Sequence, residues 1–124
     1  MNRTRPLISE EDTRRLVEEA VRKTSAEHPG DAEAMKAALH DVWRVWSRDW
    51  VTSIMGGDGG TTVFAERGAL YIGYRWLGRD WESKFEWREG QWVETEAYDG
   101  YLEGWGLVDA FMSGLHFDSP NAYL

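Results

Sequence analysis

The chain has 124 residues, of which 42% are hydrophobic and 29% charged, so its composition is that of one globular domain with one core. It contains no cysteine, which excludes disulfides, thiolate metal sites and cysteine nucleophiles. The formal net charge of −8 disfavours direct binding of nucleic acid, because the phosphates are also negative. No apolar run approaches the roughly 18 residues of a membrane span, and no signal peptide is recognisable, so we expect a cytoplasmic protein without membrane contact.

The sequence is interpreted as a single domain over residues 1–124, with a flexible arm over 1–8, a glycine-rich linker over 56–60 and a tail over 119–124. A first helix is predicted to begin after Ser9, whose hydroxyl can accept a hydrogen bond from a free amide of the first turn. It should end near His28, because Pro29 and Gly30 break helices. Its apolar stripe is Leu16, Val17, Ala20, Val21 and Thr24.

A second helix is predicted from the cap at Asp31 to the glycines that begin at Gly56. Large apolar residues recur there at steps of three and four, which places them on one face that should lie in the core. The members of this stripe are Met35, Leu39, Val42, Trp43, Trp46, Trp50 and Ile54. A third helix, interrupted by glycines, is predicted after Ala97 from Tyr101, Trp105, Val108, Met112 and Leu115.

From Thr61 the apolar residues alternate, which predicts strands joined by three hairpin turns. Glu66-Arg67-Gly68 and Arg88-Glu89-Gly90 fit three-residue loops, and Gly78-Arg79 fits a two-residue turn. The first loop would pair Phe64 with Leu70 and place Val63 and Tyr71 on the opposite face. The remaining predicted pairs are Trp76 with Trp81, Ile72 with Phe85, Leu70 with Trp87, and Phe85 with Val93.

These registers together place most large apolar residues on one face of the sheet and most charges on the other. The predicted inner face is Phe64, Leu70, Ile72, Tyr74, Trp76, Trp81, Phe85, Trp87 and Val93. The predicted fold class is therefore α+β, with two N-terminal helices packed on one face of a four-stranded antiparallel meander and a short C-terminal helix.

No motif for catalysis, metal binding or a cofactor stands out. Residues 56–62 superficially resemble a phosphate loop but have a helix before them, a strand after them and no lysine. His28, His40 and His116 are in no metal-ligand spacing. We therefore expect no catalytic residue, no metal and no cofactor, and we favour a protein that is not an enzyme.

A partner-binding surface is predicted from aromatic and acidic residues on the exposed face of the sheet and beyond it. No lysine or arginine follows Arg88, so the C-terminal part of the chain favours a basic partner, although an acidic surplus can also serve solubility alone. Aromatic rings set among charges are typical of interfaces, although such rings can also merely cover neighbouring aliphatic stems. The predicted binding residues are Tyr71, Trp92, Glu94, Glu96, Asp99, Tyr101 and Glu103.

The favoured function is a small acidic interaction module, an inhibitor of the immunity or anti-defence type that occupies a basic surface on a partner protein. One alternative is a cone-shaped α+β domain with a Trp-, Tyr- and Phe-lined pocket, which would be a ligand carrier or a cyclase- or isomerase-like enzyme. An ionisable group on the inner face would favour that alternative, and the predicted inner face has none. A second alternative is a structural subunit of a phage or other assembly, and the sequence also leaves a homodimer open.

Overall fold

The computed structural model describes residues 9–46, 61–76, 79–97 and 106–113. The elements follow the order α1 (Glu10–Glu27), α2 (Ala32–Trp46), β1 (Thr61–Glu66), β2 (Ala69–Trp76), β3 (Arg79–Arg88), β4 (Gln91–Ala97) and α3 (Leu107–Ser113). The four strands form one antiparallel sheet in the order β1-β2-β3-β4. The predicted α+β class is confirmed, whereas the predicted arm, glycine-rich linker and tail lie outside the described residues.

Both long helices begin at the predicted caps. The Ser9 hydroxyl accepts from the Asp12 amide at 3.1 Å, and an Asp31 carboxylate oxygen accepts from the Ala34 amide at 3.0 Å. α1 ends as expected at His28, whose backbone N–H donates to the Thr24 carbonyl at 2.7 Å. These caps satisfy backbone groups that the first and last turns of a helix leave without partners.

The buried stripe of α1 differs from the predicted one at Thr13, which was not predicted to be in it, and at Leu16, which was. Thr13, Val17 and Thr24 are buried, whereas Leu16 is 39% exposed. Steps of three and four residues along a helix return to the same face, so Thr13, Val17 and Thr24 share a face, and Leu16 lies beside it. The prediction included Leu16 because it is apolar, and this was wrong.

The first and third hairpins have two-residue turns, and the predicted three-residue loops are wrong. Arg67 and Gly68 have φ angles of 54° and 80°, and Glu89 and Gly90 have 52° and 83°. Positive φ at both central residues is the mark of a type I′ turn, whose twist matches that of the strands it joins. Each loop is therefore one residue shorter than predicted, which exchanges the two faces of one strand in each hairpin.

Val63 in β1 and Trp92 in β4 consequently face the helices. Val63 pairs with Ile72, and Trp92 pairs with Trp87. Val63 is 5% exposed and Trp92 is 8% exposed, so both belong to the core. The predicted positions of Phe64 and Val93 on the helix-facing side are corrected, because Phe64 pairs with Tyr71 and Val93 with Glu86 on the other face.

The central hairpin keeps its predicted faces although its pairs move along the strand. Leu70 pairs with Phe85, and Tyr74 pairs with Trp81. The predicted pairs, such as Ile72 with Phe85, are displaced by one full side-chain repeat, and such a displacement leaves every side chain on its own face. Leu70, Ile72 and Phe85 are fully buried as predicted, and the partly buried Trp87 packs against them.

The core lies between the helices and one face of the sheet. Its completely buried side chains include Val17, Met35, Leu39, Trp43, Leu70, Ile72, Phe85 and Phe111. α2 contacts β1 and β2, and α3 contacts β2 and β4. All the described helices that contact the sheet thus lie on the side of this core, so the opposite face of the sheet, called the outer face below, is covered by none of them.

Candidate protein-binding face

The outer face carries an aromatic pair. The rings of Phe64 and Tyr71 stack with centroids 5.1 Å apart and an angle of 11° between their planes. Their strands bring them together, because the two residues are direct cross-strand partners. Phe64 is 38% exposed and Tyr71 is half-buried, so the pair presents apolar surface to solvent.

A network of charges lies beside the aromatic pair. The Lys84 ammonium group is 3.9 Å from Glu86 and 3.5 Å from Glu96, and Arg88 is 3.5 Å from Glu86. The pKa of Lys84 is raised, first by electrostatic attraction to Tyr71 and then by Glu86 and Glu96, against an opposing effect of desolvation. Lys84 and Arg88 are thus engaged by acidic neighbours on the same face.

Glu86 is itself held in its ionised form. A hydrogen bond from the Thr95 side chain is the first cause that lowers the pKa of Glu86, and the charges of Lys84 and Arg88 lower it further. Such pairs between exposed groups contribute little to stability.

A β-bulge separates the two acidic residues predicted to act together. Lys84 pairs with Glu96 and Phe85 pairs with Glu94, so Thr95 is an extra residue in β4. Residues two apart share a face in a regular strand, but an extra residue places them on opposite faces. Glu96 lies on the outer face, whereas Glu94 faces the helices, where its carboxylate accepts from the buried Ser83 hydroxyl at 3.0 Å. The predicted position of Glu94 on the exposed face is wrong.

Trp92 is also not available as an exposed anchor. It packs edge-on against Trp87, with ring centroids 5.5 Å apart, on the helix-facing side of the sheet. It also lines a cavity of about 270 Å³ beside Val21 of α1 and Leu107 of α3. Its predicted exposure followed from the three-residue loop assumed at Glu89-Gly90, which the type I′ turn replaces.

Of the predicted binding residues, the structure places Tyr71 and Glu96 on the outer face. Asp99, Tyr101 and Glu103 lie outside the described residues. Sequence reasoning missed Phe64, which was assigned to the core. A two-residue turn at Arg67-Gly68 would have revealed it, because that turn alone places Phe64 opposite Tyr71.

A groove of about 320 Å³ lies next to the aromatic pair, at the end of the sheet where β1 turns into β2. Ala69 lies in it opposite Glu66, and the side chains of Tyr71, Lys84 and Glu86 also line it. The small Ala69 side chain lies between longer ones on the neighbouring strands, which produces the depression.

Metal clusters and membrane-spanning helices can be assessed in the part of the chain that the structure describes. There, no group of three or more His, Asp or Glu residues could hold a metal ion. No helix in the described ranges is long and apolar enough to cross a membrane. Comparisons with protein-family models, with curated proteins and with solved structures found no match for this chain.

Proposed function

We propose that the protein is a small acidic interaction module that binds a basic surface of a partner protein through its outer face and inhibits the partner by occupying that surface. The observation that carries this proposal is the exposed, stacked Phe64–Tyr71 pair on a sheet face that no described helix covers. The proposal keeps Tyr71 and Glu96 from the predicted binding residues and adds Phe64.

The aromatic pair has the properties of an interface anchor. Aromatic residues are enriched among the residues that dominate binding free energy, because they bury a large area when a partner excludes water. Stacking already restricts both rings in the free protein, so little side-chain entropy is lost on binding. Among the described residues, Phe64 and Leu16 are the large hydrophobic side chains that are exposed, and Phe64 is the one that stacks on an aromatic ring.

The charges on the same face favour a basic partner. The described charged side chains on this face and in the groove beside it are the acidic Glu66, Glu82, Glu86 and Glu96 and the basic Arg67, Lys84 and Arg88. The whole chain is strongly acidic, with a net charge of −8. Charge of one sign accelerates the approach of an oppositely charged partner and is screened by salt, with a Debye length of about 10 Å at 0.1 M.

One observation favours a second candidate, a small-molecule binder. The partly buried Glu94 places an ionisable group on the helix-facing side of the sheet, hydrogen-bonded to Ser83. A pocket enzyme or carrier needs such a polar group among apolar side chains. A thermal-shift screen of small ligands tests this candidate, which predicts hits that Glu94→Gln removes; a screen without such hits would reject it.

The test of the main proposal compares two side chains of almost equal exposure. Phe64 is 38% exposed and Leu16 is 39% exposed, but only Phe64 lies on the outer face. The wild-type, Phe64→Ser and Leu16→Ser proteins are immobilised, and proteins retained from a lysate of the source organism are quantified by mass spectrometry. We expect basic proteins that wild type and Leu16→Ser retain and that Phe64→Ser loses. Equal retention by all three would reject the outer face as the binding surface.

The retained protein, once purified, allows a second measurement. We expect its association rate with the wild-type chain to fall as salt concentration rises, because the attraction between opposite charges is screened. Phe64→Ser should instead raise the dissociation rate, since it removes a buried anchor from the complex. An association rate independent of salt would contradict a basic partner surface.

A further inference from the structure

We propose that the groove over Ala69 receives an arginine side chain of the partner, with its guanidinium group against the Tyr71 ring and paired with the Glu66 carboxylate. This inference rests on the proposed function and identifies the chemical group that the outer face recognises. It starts from the size of the groove, about 320 Å³, which is at the lower end of ligand-binding pockets and suits one long side chain.

The available carboxylate in the groove is that of Glu66. Glu86 is already engaged by Lys84, Arg88 and Thr95. Glu66 is exposed, and it forms no ion pair with any residue in the described ranges. A cation that enters the groove could therefore pair with the Glu66 carboxylate without displacing another side chain.

The aromatic wall favours arginine over lysine. A planar guanidinium group stacks on an aromatic ring while it donates two parallel hydrogen bonds to a carboxylate, and the compact ammonium group of lysine does neither as well. Tyr71 lines the groove, and its position is fixed by stacking on Phe64. Ring and carboxylate belong to neighbouring strands, since Glu66 pairs with Ala69, two residues before Tyr71.

The positive groups at the groove shape this preference. Lys84 is held by Glu86 and Glu96, and so its charge is compensated on the sheet. Arg67 lies at the turn and also lines the groove. Its charge opposes a bound cation, so selectivity comes from the contact with Glu66 and Tyr71 and not from the net charge of the groove. Replacing Arg67 should therefore strengthen binding of arginine.

The experiment titrates the full chain with the peptide acetyl-Gly-Arg-Gly-amide and follows backbone amides by NMR. The matched peptide contains citrulline, which has the shape of arginine without its charge. We expect shifts centred on Ala69 and Tyr71, and affinity for the citrulline peptide about tenfold lower, from the combined loss of a cation–π contact and an ion pair. Equal affinity for both peptides, or shifts centred elsewhere on the chain, would overturn the inference.

Variants locate the site. Glu66→Gln should weaken binding of the arginine peptide about fivefold, and Ala69→Val should abolish it by filling the groove with a residue that strands favour. Arg67→Gln should strengthen binding, and Glu33→Gln, in the first turn of α2 and away from the groove, should leave it unchanged. Glu66→Gln keeps the test valid if Ala69→Val does not fold. A Glu66→Gln protein that binds like wild type would refute the arginine site.

The two proposals can fail separately. If a captured partner is lost by Phe64→Ser but retained fully by Ala69→Val and Glu66→Gln, the outer face stands as the binding surface and the arginine groove is refuted. If Phe64→Ser retains the partner as well as Leu16→Ser does, the proposed function itself is refuted, whatever the peptide binds.

Discussion

The two faces of the sheet differ in exposure, although the same strands form both. On the helix-facing side Leu70, Ile72 and Phe85 are fully buried, whereas on the outer face Phe64 remains 38% exposed. Burial of apolar area is the dominant favourable contribution to folding, so the helix-facing side holds most of the stability. The outer face buries less apolar area around Phe64 and therefore contributes less to stability.

Two phenylalanines test this contrast directly. Phe85→Ala should lower the free energy of unfolding by about 3–5 kcal/mol, because it leaves a cavity at the centre of the sheet. Phe64→Ala should lower it by less than about 1 kcal/mol, since solvent already reaches the ring. Urea denaturation of both variants and of wild type measures the difference. Similar losses for the two variants would mean that the outer face is part of the core.

Substitutions of two loop glycines extend the comparison of stability. Gly30 lies between α1 and α2, and Gly68 lies in the turn between β1 and β2. Gly30 has a φ of 73°, and a Cβ there would lie 3.2 Å from Trp87 Cδ1, whereas Gly68 has a φ of 80° and no atom within 4 Å of such a Cβ. Gly68→Ala should cost about 1 kcal/mol for the left-handed backbone alone. Gly30→Ala should cost about 2–3 kcal/mol, because crowding against Trp87 is added. Equal losses in urea denaturation would show that Trp87 moves aside freely.

The starts of the two long helices and the end of α1 were predicted from the sequence because their signals are local. The caps at Ser9 and Asp31 and the break at Pro29-Gly30 require no knowledge of distant residues. The number, order and antiparallel pairing of the strands followed equally from alternation and turn residues. The lengths of two turns were wrong, because Arg67 and Glu89 adopt left-handed conformations that asparagine, aspartate or glycine usually occupy. The pairs of the central hairpin were also displaced by two residues.

The left-handed backbone of these two turn residues predicts that a substitution there can stabilise the fold. Arg67 and Glu89 hold φ angles of 54° and 52°, which disfavour side chains other than asparagine, aspartate or glycine. Glu89→Asn should raise the free energy of unfolding by about 0.5–1 kcal/mol, because Asn-Gly is the preferred type I′ pair. The control is Gln91→Asn, a strand position where asparagine is unfavourable. A loss of stability in Glu89→Asn would contradict the type I′ turn.

The candidate site was predicted only in part, since it depends on register. A one-residue error in a turn moves a side chain through the sheet, so Trp92 was expected in solvent and Phe64 in the core. The bulge at Thr95 could not be predicted from the sequence, because no glycine or proline accompanies it. This bulge places Glu94 and Glu96 on opposite faces of the sheet. Tyr71 was placed correctly because β2 kept its predicted orientation.

The smallest effect that we expect is a pH dependence of stability, which arises where α2 contacts β1. His40 of α2 is half-buried, and its Nε2 lies 3.1 Å from the Val63 carbonyl oxygen of β1, to which the neutral ring donates. Burial is the first cause that lowers the pKa of His40, and the charges of Lys36 and Arg44 lower it further, whereas the Val63 hydrogen bond and Asp41 oppose them.

Because the pKa of His40 is lower in the folded chain than its ordinary value of 6.5, the unfolded chain binds the proton more readily. The contribution of His40 to stability is therefore complete above pH 6.5 and is lost as the pH falls below this value. Urea denaturation on both sides of that pH should show a smaller loss of stability on acidification in His40→Gln than in wild type. The matched control is His28→Gln, because His28 is exposed at the end of α1 and its replacement should leave the wild-type pH dependence in place. If His40→Gln and His28→Gln respond to acid alike, the contact between α2 and β1 does not depend on the charge of His40.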